Sequence, residues 1–223
     1  MRVAIIDSGV HAAHPHVQGV AGGIGIDSTG AERDDYIDRL GHGTAVAAVL
    51  REKAPAAEIY AVKVFDRELT TTGQALVAAL AWSRRAGARL ITLSLGTSNV
   101  EHETALAREI AQAIEQGSCV VAAAPQGDAR RLPGDLPGVI AVDLDLALPR
   151  EVGEWSIVGD RVIFRASGYP RPIPGVPPEH NLHGMSFAVA NAAGLLACVL
   201  EGVAAGTDIR AVLAGVSSTS PSG

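Results

Sequence analysis

Three polar residues of this chain have the side chains that nucleophilic catalysis requires. Asp7 follows a short apolar run, His42 stands between two glycines, and Ser186 follows Gly184-Met185. A serine hydroxyl attacks a carbonyl carbon only when a neutral imidazole takes its proton, and that imidazole needs a carboxylate at its other ring nitrogen. Asp7 and His42 supply these two groups, so the three residues could form an Asp-His-Ser triad.

A helix that begins at Ser186 would also supply a hydrogen-bond donor to the reaction. The first N–H groups of a helix have no partner inside it, so the N–H of Ser186 could face the negative oxygen that develops during attack. Each residue also has a purely structural alternative: Asp7 as a turn residue, Ser186 as a helix cap and His42 as a packed histidine. The occurrence of all three residues together favours a catalytic role over the structural alternatives.

Strand-like and helix-like runs alternate along the chain, which predicts βα units and a largely parallel sheet with helices on both faces. The patterns predict strands at 3–6, 58–65, 90–95, 118–124 and 139–144, and helices at 44–51, 74–86, 101–116 and 184–200. Active sites of such sheets lie at strand ends and helix starts, where Asp7, His42 and Ser186 fall. Over residues 146–183 the pattern loosens into shorter pieces with a proline-rich stretch, and Gly22–Gly25 is predicted to form a turn.

Composition and charge limit the possible partners. The 18 Lys and Arg residues are outnumbered by 24 Asp and Glu, giving a net charge of −6, which argues against nucleic acid as a partner. Cys119 and Cys198 are too few for a disulfide framework and are predicted to be buried thiols.

The length of 223 residues predicts one domain, over 1–216, followed by a frayed tail rich in serine, proline and glycine over 217–223. The sequence shows neither the apolar segment of a secretory signal nor an uninterrupted apolar run near the ~18 residues of a membrane span. We therefore expect a cytoplasmic protein without a membrane partner.

Three local sequences resemble the signatures of the subtilisin-like serine proteases, the subtilase family, in the chain order Asp, His, Ser. They are Asp7-Ser8-Gly9-Val10, Gly41-His42-Gly43-Thr44-Ala45-Val46-Ala47 and Gly184-Met185-Ser186-Phe187-Ala188. The resemblance runs from about Val3 to Leu200. It implies a subtilisin-like three-layer α/β fold, with a mostly parallel central sheet flanked by helices.

The resemblance also implies an activity, a serine endopeptidase that hydrolyses peptide bonds through an acyl-enzyme. Ser186 would be the nucleophile and His42 the general base and then the general acid, with Asp7 orienting His42. Asp38 matches an acidic residue near the family's histidine, or else it solvates the acidic loop at 34–38.

The implied substrate is a peptide or protein in extended conformation, lying between two segments. The segment 91–96 resembles the strand that pairs with the substrate backbone, and 69–73 resembles the segment on its other side. The predicted substrate-binding residues are Leu93, Ser94, Leu95, Gly96, Thr71, Thr72 and Gly73. Cleavage-site preference is not predicted, because it depends on loops around 127–135 that the sequence does not place.

The chain departs from the family pattern at Ala123-Ala124-Pro125-Gln126, where the family usually has Ala-Ala-Gly-Asn and the asparagine amide donates to the oxyanion. Gln126 is the candidate replacement, and loss of one donor costs about 10²–10³ in rate. This departure supports an alternative, a catalytically weak pseudoprotease that acts as a peptide-binding module. Transfer of the acyl group to an amine is a further alternative.

No cofactor is expected. The acidic residues over 27–38 could bind calcium, but their spacing matches no defined ligand loop. His11, His14 and His16 lack a partner at metal-ligand spacing. The short chain without a signal or propeptide leads us to expect a dedicated processing protease, for example one that removes a leader from a precursor peptide. The sequence does not indicate an oligomeric state.

Overall fold

A nine-stranded sheet forms the centre of the protein, which we describe from a computed structural model over residues 1–125, 127 and 130–216. In chain order the strands are β1 Arg2–Asp7, β2 Gly22–Ile26, β3 Glu32–Arg33, β4 Glu58–Lys63, β5 Leu90–Leu93, β6 Cys119–Ala123, β7 Val139–Leu144, β8 Gly153–Val158 and β9 Arg161–Ala166. The order across the sheet is β3-β2-β4-β1-β5-β6-β7-β9-β8. Among the described strands, only the edge strands β3 and β8 pair antiparallel with their neighbours.

Helices cover both faces of the sheet. They are α1 His42–Lys53, α2 Gly73–Arg85, α3 Glu103–Glu115, α4 Met185–Glu201 and α5 Ile209–Gly215, with short 3₁₀ turns at Val100–His102 and Pro178–His180. Alternate residues of β1 point to opposite layers: Val3 and Ile5 pack in one core with α1 and α4, whereas Ala4 and Ile6 pack in the other with α2 and α3. The predicted three-layer α/β fold is confirmed.

The central strands are apolar along their whole length because both of their faces are covered. Every residue of β5 is buried, as are Val3 to Asp7 of β1. The register pairs Ile6 with Leu93 and Asp7 with Lys63, so the carboxyl ends of β1, β4 and β5 lie together at one edge.

The structure corrects the prediction of a turn at Gly22–Gly25, which forms most of β2. A Cβ atom at Gly23 would stand 2.4 Å from the carbonyl oxygen of Ala61, so the neighbouring strand approaches too closely for any larger residue. The glycines that this contact requires remove the alternating side chains by which a strand is recognised.

The region 146–183, whose sequence pattern loosens into shorter pieces, contains the hairpin of β8 and β9, in which the Trp155 and Phe164 rings stack at 5.7 Å. The prediction for Cys198 was wrong. Cys198 is exposed rather than buried, and its thiol donates to the carbonyl oxygen of Lys53 at the end of α1 at 3.1 Å. Cys119 is partly buried, and burial raises the pKa of its thiol to about 11.

Among the helices that the structure describes, none is long and apolar enough to cross a bilayer.

Substitution of Phe164 tests the packing of the β8–β9 hairpin. Its side chain is only 2% exposed, so Phe164→Ala should lower the free energy of unfolding by about 3–5 kcal/mol through lost burial and a new cavity. Ile157→Ala, on the same hairpin but at a 39% exposed position, should cost much less. Urea denaturation of both variants measures the difference, and equal losses would contradict this account of the core.

Candidate active site

Asp7 is buried at the end of β1, and its carboxylate is held by three donors. Oδ1 lies 2.6 Å from Nδ1 of His42 and also accepts the backbone N–H of Ser8 at 2.7 Å. The hydroxyl of Ser94 donates to Oδ2 at 2.6 Å. This last contact follows from the register, because the residues after the Ile6–Leu93 pair are Asp7 and Ser94.

His42 is the first residue of α1, and close backbone packing brings it to Asp7. A Cβ atom at the next residue, Gly43, would stand 2.2 Å from the carbonyl oxygen of Gly9, so only glycine permits this approach. Burial disfavours the charged form of His42, but the hydrogen bond and charge of Asp7, with the charge of Asp38, outweigh it and raise the pKa of His42. His42 is therefore a stronger base than a free imidazole.

Asp38 fixes the loop that carries His42. Its Oδ1 accepts from the hydroxyl of Ser8 and the backbone N–H groups of Leu40 and Gly41, each at 2.9 Å. Its Oδ2 accepts from the N–H of Thr44 at 2.9 Å and from its hydroxyl at 2.6 Å. Burial raises the pKa of Asp38, but the hydrogen bonds outweigh burial and hold it below the usual range. Asp38 is thus a buried anchor and does not solvate the acidic loop.

Ser186 is the second residue of α4, and the start of that helix lies beside His42. The ring of the next residue, Phe187, has its centroid 6.2 Å from that of His42. The Ser186 side chain is only partly buried and makes no hydrogen bond with any residue that the structure describes. Its backbone N–H belongs to the first turn of α4, where donors have no acceptor within the helix.

An open strand edge begins next to Asp7. Beyond Leu93, the backbone groups of Ser94, Leu95 and Gly96 make no backbone–backbone hydrogen bond with the described part of the chain. Pairing resumes at Thr97, which exchanges two 2.8 Å bonds with Leu132. Leu95 is partly buried and Gly96 exposed, so an added strand could reach this edge. The hydroxyl of Ser94, however, is committed to Asp7.

The second predicted substrate segment is partly committed to the start of α2. The hydroxyl of Thr72 caps this helix by accepting from Ala75 at 3.1 Å, and donates to the carbonyl of Ser28 at 2.7 Å. Gly73 packs against His102, whose Cδ2 would lie 2.1 Å from an added Cβ. Thr71 lines a cavity of about 390 Å³ at the ends of β2 and β4.

A groove of about 540 Å³ lies between α1 and the proline-rich segment before α4. Its walls include Leu40 and Gly41 on one side and Ile173 and Leu182 on the other. The groove thus continues from the residues just before His42 to those shortly before Ser186.

The oxyanion candidate is left untested, and the acidic and histidine residues that the sequence disfavoured as metal ligands have other partners. Gln126 lies outside the described residues. The carboxylate of Asp27 binds Thr29, Ala31 and Arg33, and within the described ranges no cluster of three or more His, Cys, Asp or Glu side chains could hold a metal ion. His14 accepts from the backbone of His16, and their rings meet edge to face at 5.2 Å.

Replacement of Asp38 tests its role as an anchor. Asp38→Asn should lower the free energy of unfolding at neutral pH by about 1–3 kcal/mol, because an amide cannot accept all of these bonds. The pKa of Asp38 is lowered by folding, so its contribution is complete above the usual carboxyl pKa of about 3.9 and is lost as the pH falls further. Denaturation from pH 3 to pH 7 should show the two proteins converging at the acid end, whereas a constant difference would contradict the assignment.

The chain is similar in sequence to two proteins of Bacillus subtilis. The chain is 32% identical to the minor extracellular protease Epr of Bacillus subtilis (strain 168) over 184 residues, 75% of this chain and 27% of that protein. It is 29% identical to subtilisin E of the same strain over 224 aligned residues, 92% of this chain and 54% of that protein. The chain thus spans less than two thirds of the length of either relative.

The fold is similar to that of solved structures. The nisin leader peptidase NisP from Lactococcus lactis superposes with a TM-score of 0.71 at 17% identity, covering 95% of this chain and 81% of that one. At this identity the likeness supports the fold alone. The model of the subtilase family, however, matches residues 1–214. With this match the resemblance predicted from the Asp, His and Ser signatures is confirmed, and the chain belongs to the subtilase family.

Proposed function

We propose that this chain is a serine endopeptidase that hydrolyses peptide bonds with Asp7, His42 and Ser186. The observation that carries the proposal is the 2.6 Å contact between Asp7 and His42, with the helix of Ser186 starting beside the same histidine. Asp7 fixes one ring nitrogen of His42 as the donor, which leaves Nε2 free to accept a proton. Membership of the subtilase family supports the same assignment.

The reaction proceeds in two halves. Nε2 of His42 takes the proton of Ser186 as its Oγ bonds to the substrate carbonyl carbon, and the backbone N–H of Ser186 stabilises the oxyanion. His42 then gives that proton to the amine as the C–N bond breaks. A water molecule, deprotonated by His42, attacks the acyl-enzyme, and the proton returns to Ser186. Gln126 is our candidate for the second oxyanion donor.

The substrate is a peptide in extended conformation. The unpaired backbone of Ser94 to Gly96 supplies hydrogen-bonding groups for strand addition, and the segment 69–73 would lie on the other side of the peptide. Because this edge starts where β5 contacts Asp7, a peptide bound there reaches the triad. The groove next to Leu40 and Leu182 would receive the chain beyond the scissile bond.

We further propose that the domain over 1–216 is a cytoplasmic processing protease, for example a leader-removing one. The likeness of its fold to a nisin leader peptidase is compatible with this role. The second candidate function, a peptide-binding pseudoprotease, is favoured by Pro125-Gln126 in place of the family's Gly-Asn. The two candidates differ in whether Ser186 reacts.

A fluorophosphonate probe tests this difference directly. The wild-type chain should gain one adduct by intact mass, because Ser186 is activated by His42, and Ser186→Ala should gain none. Ser217→Ala, which alters a serine of the tail, is the matched control and should label like the wild type. A folded wild-type chain that stays unlabelled would contradict the proposal and favour the binding module. With peptides, the mass of the products separates hydrolysis from transfer to an amine.

The pH dependence of hydrolysis tests the role of Asp7. Activity requires neutral His42, whose pKa is raised, so the rate should increase with pH through a midpoint above the ordinary histidine value of about 6.5. Asp7→Asn removes the charge that raises this pKa, so the midpoint should fall and the rate drop by up to about 10⁴. A pH–kcat/KM profile measures both effects. An unchanged midpoint in Asp7→Asn would contradict the assignment.

A further inference from the structure

The side chain of Arg131 lies across the open strand edge. An added Cβ at Gly96 would stand 2.9 Å from Cγ and 3.0 Å from Nε of Arg131. The absence of a side chain at Gly96 therefore leaves room for the arginine. Its backbone is fixed by an N–H bond of 2.9 Å to Asp135 and by the pairing of the next residue, Leu132, with Thr97.

The guanidinium of Arg131 has no acceptor among the residues that the structure describes. Its Nε is buried without a hydrogen-bond partner. Its side chain forms no salt bridge with a described carboxylate, and Asp135 accepts only its backbone N–H. Glu103 is bound by Arg130 at 2.6 Å, and Asp135 contacts Arg161 at 3.3 Å. Arg131 as a whole is only partly buried, so a carboxylate brought by a ligand could pair with the terminal N–H groups of its guanidinium.

Arg131 lies where a substrate bound along residues 94–96 would pass. Gly96 is two residues from Ser94, whose hydroxyl binds Asp7, so the two positions are about 7 Å apart along an extended chain. A peptide that pairs with Ser94 to Gly96 therefore passes next to the guanidinium close to the scissile bond. Every second side chain of that peptide would face the same side as Arg131.

We propose that Arg131 makes this site selective for acidic peptides, by binding an Asp or Glu side chain of the substrate residue that lies over Gly96. The planar guanidinium matches a carboxylate with paired N–H donors, and such charge-assisted bonds are among the strongest in proteins. The inference rests on the proposed function in one respect, that a peptide binds along this edge. It goes further by naming the class of substrate.

Peptide binding to the Ser186→Ala chain tests this selectivity without requiring cleavage. The probes are fluorescent eight-residue peptides of Ala and Val that carry one Glu, Gln or Lys at each position in turn, with affinity measured by anisotropy. At one position Glu should bind at least about 10-fold more tightly than Gln, and Lys more weakly than either. The preference should weaken as salt screens the charges.

Variants of Arg131 in the same background identify the source of the preference. Arg131→Gln should bring the Glu and Gln peptides to equal affinity, and Arg131→Lys should restore part of the difference. Arg130→Gln is the matched control, because Arg130 is paired with Glu103, and it should keep the full preference. Equal affinities in the parent chain, no binding of any peptide, or a preference that survives Arg131→Gln would each overturn the inference.

A separate experiment shows whether the proposed function itself fails. Fluorophosphonate labelling is measured on two chains that keep Ser186, the wild type and Arg131→Gln. It reports activation of the nucleophile independently of any peptide side chain. Labelling of both proteins without an acidic preference would leave the protease and refute the role of Arg131. An acidic preference without labelling would leave a binding module with the selectivity proposed here.

Discussion

The buried carboxylate of Asp7 is the interaction on which the site depends. A buried anion is costly unless hydrogen-bond donors surround it, and here the donors come from three separate elements. They are the backbone after β1, the hydroxyl after β5 and the imidazole at the start of α1. The carboxylate therefore joins sheet and helix at one point, and the same contacts that stabilise it orient His42.

A second buried carboxylate, that of Asp38, supports the first. It binds the hydroxyl of Ser8 and the backbone just before and after His42. Ser8 in turn accepts the N–H of Gly43 at 2.9 Å. Because each of these groups is satisfied by another, the position of the imidazole is set by a closed network. The packing of α4 against α1 in one core then places the start of α4 beside His42, with the ring of Phe187 6.2 Å from the imidazole.

The two predicted substrate segments differ in which of their groups remain free to bind a peptide. At 94–96, beyond the end of β5 at Leu93, the backbone groups have no backbone partner in the described part of the chain and remain free for a peptide. At 72–73, by contrast, Thr72 caps the start of α2 and Gly73 packs on His102. The arginine across Gly96 adds charge to the first segment, where a parallel sheet otherwise offers only main-chain groups. In the proposed complex, affinity would come from the main chain of 94–96 and selectivity from Arg131.

The sequence by itself determined the residue types of the proposed triad, the order of the main strands and helices, and the family, because local apolar patterns and short motifs carry these features. It did not predict β2, whose glycines are required by a neighbouring strand. The contacts of Ser94 with Asp7, of Asp38 with the backbone around His42 and of Arg131 with Gly96 were decided only by the tertiary structure. Each depends on register or on contact between residues far apart in the chain, such as Asp7 with Ser94, and no local pattern records the approach of two distant segments.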